Sequence, residues 1–238
     1  MNRFLRLASS IATLVTVGIL PAVSQTTAPQ MPVIVIQQVD AEDTDVYAML
    51  LARNNETIKE KLGFENFFRV YLGVTAGEDT GAVFVVTAAD SFATLSKNST
   101  VVFADLELAA RGDQLDAVRT LGPQTSWKAV RFQGAHVGAS IYNAWVSVTD
   151  EPGYLAALDE LRALLDARGL KDVHLNFYRA VAGRTNATHF VSFNAPSSEQ
   201  LAAFLDVMAT DEAIRLWIVA SGKHRTLVRT GTYLEITK

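Results

Sequence analysis

Five side chains on two short apolar segments have residue types that could bind or activate a small molecule. Asn143 and Trp145 lie two residues apart in one segment, and His174, Asn176 and Tyr178 follow the same spacing in another. If both segments are strands, this alternation places each set on one sheet face and the apolar neighbours on the other. An apolar cavity with a few converging polar groups is typical of a small-molecule site. We therefore predict a ligand-binding site at these five residues and assign no catalytic residue.

The same alternation is also compatible with a purely structural role. His174 and Tyr178 could be solvated on an edge strand, and the amide of Asn143 could form a hydrogen bond across an interface between two sheets. His189 alternates with Val191, which is typical of a packed histidine.

Composition and motifs exclude several classes of protein. The 238 residues contain no cysteine, which excludes disulfides and cysteine nucleophiles, and the four histidines lack metal-ligand spacing. The sequence has no nucleophile-elbow, phosphate-loop, dinucleotide-binding or zinc-protease motif. A net charge of −4 without basic clusters argues against nucleic acid as a partner. We predict no metal and no cofactor.

The first 24 residues have the pattern of a secretory signal peptide. Arg3 and Arg6 precede an apolar stretch from residue 7 to residue 20, and small residues follow Pro21. About 14 apolar residues are fewer than the roughly 20 that span a bilayer, which favours cleavage near Ser24 over anchoring. We therefore expect a periplasmic or secreted protein, free of the membrane after cleavage, with residues 25–32 as a short leader.

The chain contains an internal repeat. Matching residues are separated by 107 positions near the start of each half and by 106 positions from Gly77 onward. The matched pairs include Ile34 with Ile141, Tyr47 with Tyr154, Gly77 with Gly183, Phe84 with Phe190, Asp105 with Asp211 and Trp127 with Tyr233. Under an offset of 106, the first-half positions that match the polar segment are Phe68, Val70 and Leu72. One lobe would then present apolar side chains to a shared interior, and the other polar and aromatic ones.

Each half has the order strand, helix, strand, strand, helix, strand. We assign residues 33–132 to one ferredoxin-like βαββαβ repeat, 133–139 to a joining segment and 140–238 to a second repeat. Such a repeat leaves one sheet face uncovered, and two repeats in one chain can cover each other. The predicted fold class is α+β, with the repeats packed sheet to sheet. Two loosely linked domains remain the alternative.

This pattern resembles the dimeric α+β barrel superfamily, which includes antibiotic-biosynthesis-type and haem-degrading monooxygenases and many stress-response proteins. The most family-like stretch runs from Thr210 to Trp217. In haem-degrading members a histidine of the corresponding helix ligates iron. Trp217 and, in the first half, Arg111 occupy the matching positions here, so the resemblance implies no haem in this chain.

The residues and the resemblance together leave three hypotheses for function. The first is an exported protein that binds a small apolar or aromatic molecule between two lobes, as a monomer or homodimer. The second is a cofactor-independent monooxygenase in which Asn143, His174 or Tyr178 positions or deprotonates an aromatic substrate. The third is a non-catalytic structural or interaction protein whose lobes pack without a cavity.

Overall fold

The computed structural model describes residues 31–237, and the predicted signal peptide lies outside them. Eight strands and six α-helices follow one another in two equivalent halves. Lobe 1 contains β1 (Val33–Ala41), α1 (Thr44–Leu62), β2 (Arg69–Thr75), β3 (Val83–Ala89), α2 (Phe92–Ala104), α3 (Leu106–Asp116) and β4 (Arg119–Arg131). Lobe 2 contains β5 (Ser140–Val148), α4 (Glu151–Ala167), β6 (His174–Gly183), β7 (His189–Ala195), α5 (Ser198–Thr210), α6 (Glu212–Ser221) and β8 (Arg225–Glu235).

The helices begin at matching capping residues in the two lobes. The first helix of each lobe is capped by an aspartate, Asp43 for α1 and Asp150 for α4. The second is capped by a serine, Ser91 for α2 and Ser197 for α5. The third is again capped by an aspartate, Asp105 for α3 and Asp211 for α6. Each capping side chain accepts a backbone N–H of the first helical turn, which satisfies one of the donors that a helix start leaves free. In lobe 1, the single helix that the sequence predicts between the third and fourth strands is two helices, α2 and α3.

The strands form one closed antiparallel barrel in the order β1-β3-β2-β8-β5-β7-β6-β4. Within each lobe the sheet has the ferredoxin-like order, and the lobes join where β2 pairs with β8 and β4 pairs with β6. The predicted fold class is thereby confirmed. Because these pairings use both edges of each sheet, the barrel closes within one chain.

The barrel has two distinct ends. Strands β1, β2, β5 and β6 run in one direction, and the other four run against them. We call the end crossed by residues 132–139 the linker end, and the end with the β2–β3 and β6–β7 turns the hairpin end. Helices cover the outside of each sheet, and none of those within residues 31–237 is long and apolar enough to cross a membrane.

Candidate active or binding site in the barrel

The barrel encloses a cavity of about 340 Å³. Side chains from all eight strands line its wall, so both lobes contribute to it. The volume falls within the range of about 300–1,000 Å³ that is typical of small-molecule sites. The cavity-lining residues used below are Ile36, Arg69, Tyr71, Asp79, Phe84, Trp127, Asn143, Trp145, Asn176, Tyr178, Phe190, Ser192, Arg229 and Tyr233.

Aromatic rings form most of this wall. Phe190 stacks on Tyr178 at 4.6 Å between ring centroids and meets Trp127 edge-on at 4.8 Å. Trp145 meets Tyr233 edge-on at 5.7 Å. Such pairs hold rings in defined orientations, and they present flat apolar surfaces to whatever occupies the space between them.

Four of the five predicted site residues line this one cavity. Trp145 and Tyr178 belong to the aromatic wall, and Asn143 and Asn176 add amide groups. The Asn176 amide is already used, because its Oδ1 accepts the backbone N–H of Gln133 at 2.8 Å and its Nδ2 donates to the carbonyl of Gly134 at 2.7 Å. It therefore ties the segment between the lobes to β6.

Asn143 differs from Asn176 because its amide does not bond to the backbone of another segment. Its Oδ1 is buried and has no hydrogen-bond partner within residues 31–237. A buried amide oxygen without a partner loses about 1–3 kcal/mol relative to one that is hydrogen-bonded. At the matching position of lobe 1 the chain has the apolar Ile36, so the fold itself does not require an amide at this level of the barrel.

His174, the fifth predicted residue, does not line the cavity. It begins β6 at the linker end, and its ring stacks on that of His136 at 4.2 Å between centroids. Burial, and then the neighbouring His136, lower the pKa of His174. The ring is therefore held outside the aromatic wall, where it cannot contact a molecule in the cavity directly.

The prediction that Phe68, Val70 and Leu72 of lobe 1 face the shared interior was wrong. Val70 is buried, and Phe68 and Leu72 are partly buried; all three pack with the core under the helices, whereas Arg69 and Tyr71 line the cavity. The pairing of Tyr71 with Phe84 corresponds to that of Tyr178 with Phe190. The offset is thus still 107 in β2 and becomes 106 in the following turn. A slip of one residue exchanges the two faces of a strand.

Tyr71 in β2 and Tyr178 in β6 occupy equivalent positions in the two lobes, and both face the cavity. Burial raises the pKa of Tyr71, against the opposing effect of Arg69, and burial likewise raises the pKa of Tyr178. Burial also raises the pKa of Tyr233 to about 12. All three phenols are neutral at ordinary pH and can donate or accept a hydrogen bond.

An ion pair lies at each end of the barrel. At the linker end, Arg69 forms two hydrogen bonds with Glu235, whose carboxylate also accepts the backbone N–H of Gly138 at 2.8 Å and that of Ala139 at 3.2 Å. At the hairpin end, Arg229 pairs with Asp79 and lies 4.1 Å from the ring centroid of Trp145. Arg69 and Arg229 thus have carboxylate partners, whereas the exposed Arg184 of the β6–β7 turn, which also lines the cavity, has no ion-pair partner within residues 31–237. Away from Arg184, the aromatic wall favours an uncharged occupant.

The two positions that match the haem-ligating histidine of the family do not carry an iron ligand. Trp217 lies in the core of lobe 2, where its indole N–H donates to the carbonyl of Ala157 at 2.6 Å. Arg111 in lobe 1 donates to Glu107 at 2.9 Å. Neither side chain is an iron ligand. Across residues 31–237, no group of three or more histidine or acidic residues is placed to hold a metal ion.

Comparison with solved structures decides the fold. A protein described as anthrone oxidase-like has 14% identity and a TM-score of 0.51, over 87% of this chain and 92% of that one. The chain has the dimeric α+β barrel fold. A protein named as a monooxygenase from Fusobacterium nucleatum has 7% identity and a TM-score of 0.58 over 87% and 93% of the two chains. Another from Lactobacillus acidophilus has 10% identity and a TM-score of 0.55 over 86% and 94%.

Comparison of the sequence with known families and proteins adds nothing to the structural comparison. No family model matches the chain. No curated protein matches it either.

Sequence reasoning missed the lobe 1 half of the cavity. Arg69, Tyr71 and Asp79 were not predicted, and neither was Arg229 in lobe 2. One signal could have found Tyr71: it stands 107 positions before Tyr178, the same offset that relates the opening strands. The ion pairs join residues far apart in the chain and left no comparable pattern.

Proposed function

We propose that this protein binds a small, uncharged aromatic or apolar molecule inside the barrel, between its two lobes. The observation that carries this proposal is the aromatic cavity, whose wall includes Asn143, a residue whose amide oxygen has no hydrogen-bond partner within residues 31–237. A hydroxyl or N–H group on the ligand would supply the missing hydrogen bond. The carboxylate partners of Arg69 and Arg229 support an uncharged ligand deep in the barrel, away from the exposed Arg184.

The barrel contains its own optical reporter for such binding. Trp127 and Trp145 line the cavity, and the third tryptophan of the chain, Trp217, lies in the core of lobe 2. A ligand that enters the barrel should change the fluorescence of the first two. A Trp217→Phe variant removes the background signal.

Three small aromatic probes test the proposal. Thymol is an uncharged phenol, cymene lacks its hydroxyl, and benzoate carries a charge. We expect thymol to change tryptophan fluorescence saturably, cymene to bind about 2–10-fold more weakly because it makes no hydrogen bond, and benzoate not to bind. Equal binding of thymol and cymene would contradict the role of Asn143. The natural ligand can be sought by mass spectrometry of small molecules that copurify with the folded protein.

A second candidate is a cofactor-independent monooxygenase that uses the same cavity. Two structures with this fold are named as monooxygenases. An electron-rich aromatic substrate would supply the electrons for oxygen: it would lose two hydrogens and gain one oxygen atom as a carbonyl, as when a phenol becomes a quinone, and the other oxygen atom would leave as water with those two hydrogens. Asn143 and Tyr178 are placed to orient such a substrate.

Oxygen consumption distinguishes the two candidates. If the protein is an oxygenase, it should consume oxygen with phenolic substrates, and Asn143→Ile should lower the rate while His174→Ala leaves it nearly unchanged. Thymol binding without any oxygen uptake across a panel of phenols would favour the binding protein alone.

We also propose that the protein is exported. The support is the pattern of residues 1–24, with two arginines before a short apolar stretch. Mass spectrometry of the mature chain from a periplasmic or secreted fraction should give a terminus at Gln25, and a chain retained in the cytoplasm with residues 1–24 intact would contradict export.

A further inference from the structure

Lobe 1 has a second cavity, separate from the barrel, between its sheet and helices α1 to α3. We call it the helix-side cavity. Its volume is about 650 Å³. Apolar residues such as Leu51, Ile58 and Phe103 line it together with polar ones such as Asn54 and Ser99.

In lobe 2 a continuous apolar core occupies the equivalent place. Its buried apolar residues form one continuous cluster between the sheet and α4 to α6, whereas those of lobe 1 fall into three separate clusters. The capping residues align the helices of the two lobes, and this alignment shows which residues differ. Lobe 2 has Leu161, Phe193, Phe204, Leu205, Trp217 and Ile218 where lobe 1 has Asn54, Thr87, Asn98, Ser99, Arg111 and Gly112.

Of these lobe 1 residues, Asn54, Thr87, Ser99 and Gly112 line the cavity, whereas Asn98 and Arg111 do not. The lobe 2 counterpart of Gly112, Ile218, is 37% exposed, and the reverse exchange occurs at Phe103 and Leu115, where lobe 2 has Ala209 and Ser221. At each of the six positions an apolar side chain is matched by a polar one or by glycine. Leu161 and Phe204 are fully buried in lobe 2. Removing comparable side chains from a packed core costs about 2–5 kcal/mol per residue, which makes an empty space of this size a substantial loss of stability.

Two of the polar replacements are buried inside lobe 1. Asn54 is 6% exposed and Ser99 is 7% exposed. The hydrogen bonds within residues 31–237 include none from either side chain, although the neighbouring Asn55 forms two with the backbone of Phe68. The polar atoms of both side chains remain accessible to the cavity, so ordered water or a bound molecule can supply their hydrogen bonds.

The charged groups at this cavity are paired with each other. Arg119 donates to Asp116 at 3.0 Å and to the hydroxyl of Tyr47 at 3.0 Å. Exposed Leu121 and Gly122 line the side that reaches the surface. The interior therefore has no unpaired charge to attract an ion, and it has hydrogen-bonding groups in a mostly apolar wall.

We propose that the helix-side cavity of lobe 1 is a second ligand site, which takes an uncharged, mainly hydrophobic molecule of drug size with oxygen or nitrogen groups that bond to Asn54 and Ser99. This site is independent of the barrel site. It has about twice the volume of the barrel cavity, so it can hold a larger molecule.

Nile red, an uncharged hydrophobic dye with a carbonyl group, is the probe for this site. We expect saturable fluorescence enhancement with the wild-type chain. Asn54→Leu and Ser99→Leu, which copy Leu161 and Leu205 into lobe 1, should each weaken dye affinity by about tenfold or more because they fill the space. Both should also raise the melting temperature, since they add buried apolar surface in an underfilled space.

A matched control adds leucine without filling the cavity. Glu60 is exposed on α1, so Glu60→Leu should leave both dye affinity and melting temperature nearly unchanged. The two filling variants lie on different helices, α1 and α2, and circular dichroism shows whether each is folded.

Three results would overturn the proposal. One is the absence of saturable dye binding to the wild-type chain. Another is full dye affinity in folded Asn54→Leu and Ser99→Leu. The third is loss of dye binding in Asn143→Ile alone, which would place the dye in the barrel. Because thymol binding is read from tryptophans of the barrel, failure of this site would leave the barrel proposal standing.

Discussion

Replacing Asn143 with isoleucine should make the protein more stable and its barrel site weaker. The substitution copies Ile36, which occupies the same strand position in lobe 1. Isoleucine suits a strand because its β-branched side chain packs well on a pleated surface. The backbone pairings of β5 with β7 and β8 do not involve the amide, so they should be unaffected.

The magnitude follows from the unpaired Oδ1 of Asn143. An unsatisfied buried amide costs about 1–3 kcal/mol, and its removal should raise the free energy of unfolding by about that amount. For a chain of this size each kcal/mol shifts the melting temperature by about 2–4 °C, so we expect a rise of about 2–12 °C. Loss of one neutral hydrogen bond should weaken thymol binding by about 0.5–1.5 kcal/mol, or about 2–10-fold.

Thermal unfolding by circular dichroism and thymol titration by tryptophan fluorescence measure the two effects on the same preparations. Ile36→Asn is the matched control, since it places a second amide in the barrel and should lower the melting temperature. A lower melting temperature for Asn143→Ile, together with unchanged thymol affinity, would refute the reasoning, because the amide would then have a structural role.

Three further predictions concern the ends and the wall of the barrel. Arg69→Met should lower the free energy of unfolding in urea by about 3–5 kcal/mol, because Glu235, with a side chain only 2% exposed, would lose its partner. Arg69→Met with Glu235→Gln should recover part of the loss, because the neutral amide oxygen can still accept the N–H groups of Gly138 and Ala139, and no recovery would contradict this account. Burial raises the pKa of Tyr71 and Tyr178 above 10.0, so the unfolded chain loses protons first as the pH rises. Stability should therefore be fully present below pH 10.0 and fall above it, and Tyr178→Phe should flatten that decline in pH-dependent unfolding. His174→Ala should change thymol affinity by less than about twofold, since the ring lies outside the wall; a tenfold loss would show that the cavity reaches it.

The sequence predicted the fold and one half of the barrel cavity because both depend on local periodicity. In β5 the alternation of Asn143 and Trp145 fixes which side chains face inward, once the opposite row packs under the helices. In β2 the same reasoning failed, since the offset between repeats changes by one residue in the turn after Tyr71. His174 has the inward spacing but begins its strand, where the wall of the barrel ends.

The helix-side cavity was not predicted either, although the sequence contains polar residues at positions where the other lobe has apolar ones. Asn54 stands 107 positions before Leu161, as Tyr47 does before Tyr154. One polar residue on the predicted inner face of a helix usually indicates an isolated polar position in the core, or that the inner face was assigned to the wrong side of the helix. Only the structure shows that several such residues from three helices and the sheet surround one space.

Fusing two lobes in one chain removes the symmetry that a homodimer would impose on both cavities. In a symmetric dimer an amide at the level of Asn143 would appear twice, and two unpaired amides would double the loss of stability. Here the amide faces Ile36 in a barrel that is otherwise built from matching rings. The same freedom allows lobe 1 to have a large cavity while lobe 2, with its continuous core, maintains the stability of the barrel they share. The two cavities can therefore be altered independently, and Asn143→Ile combined with Asn54→Leu should give additive changes in melting temperature.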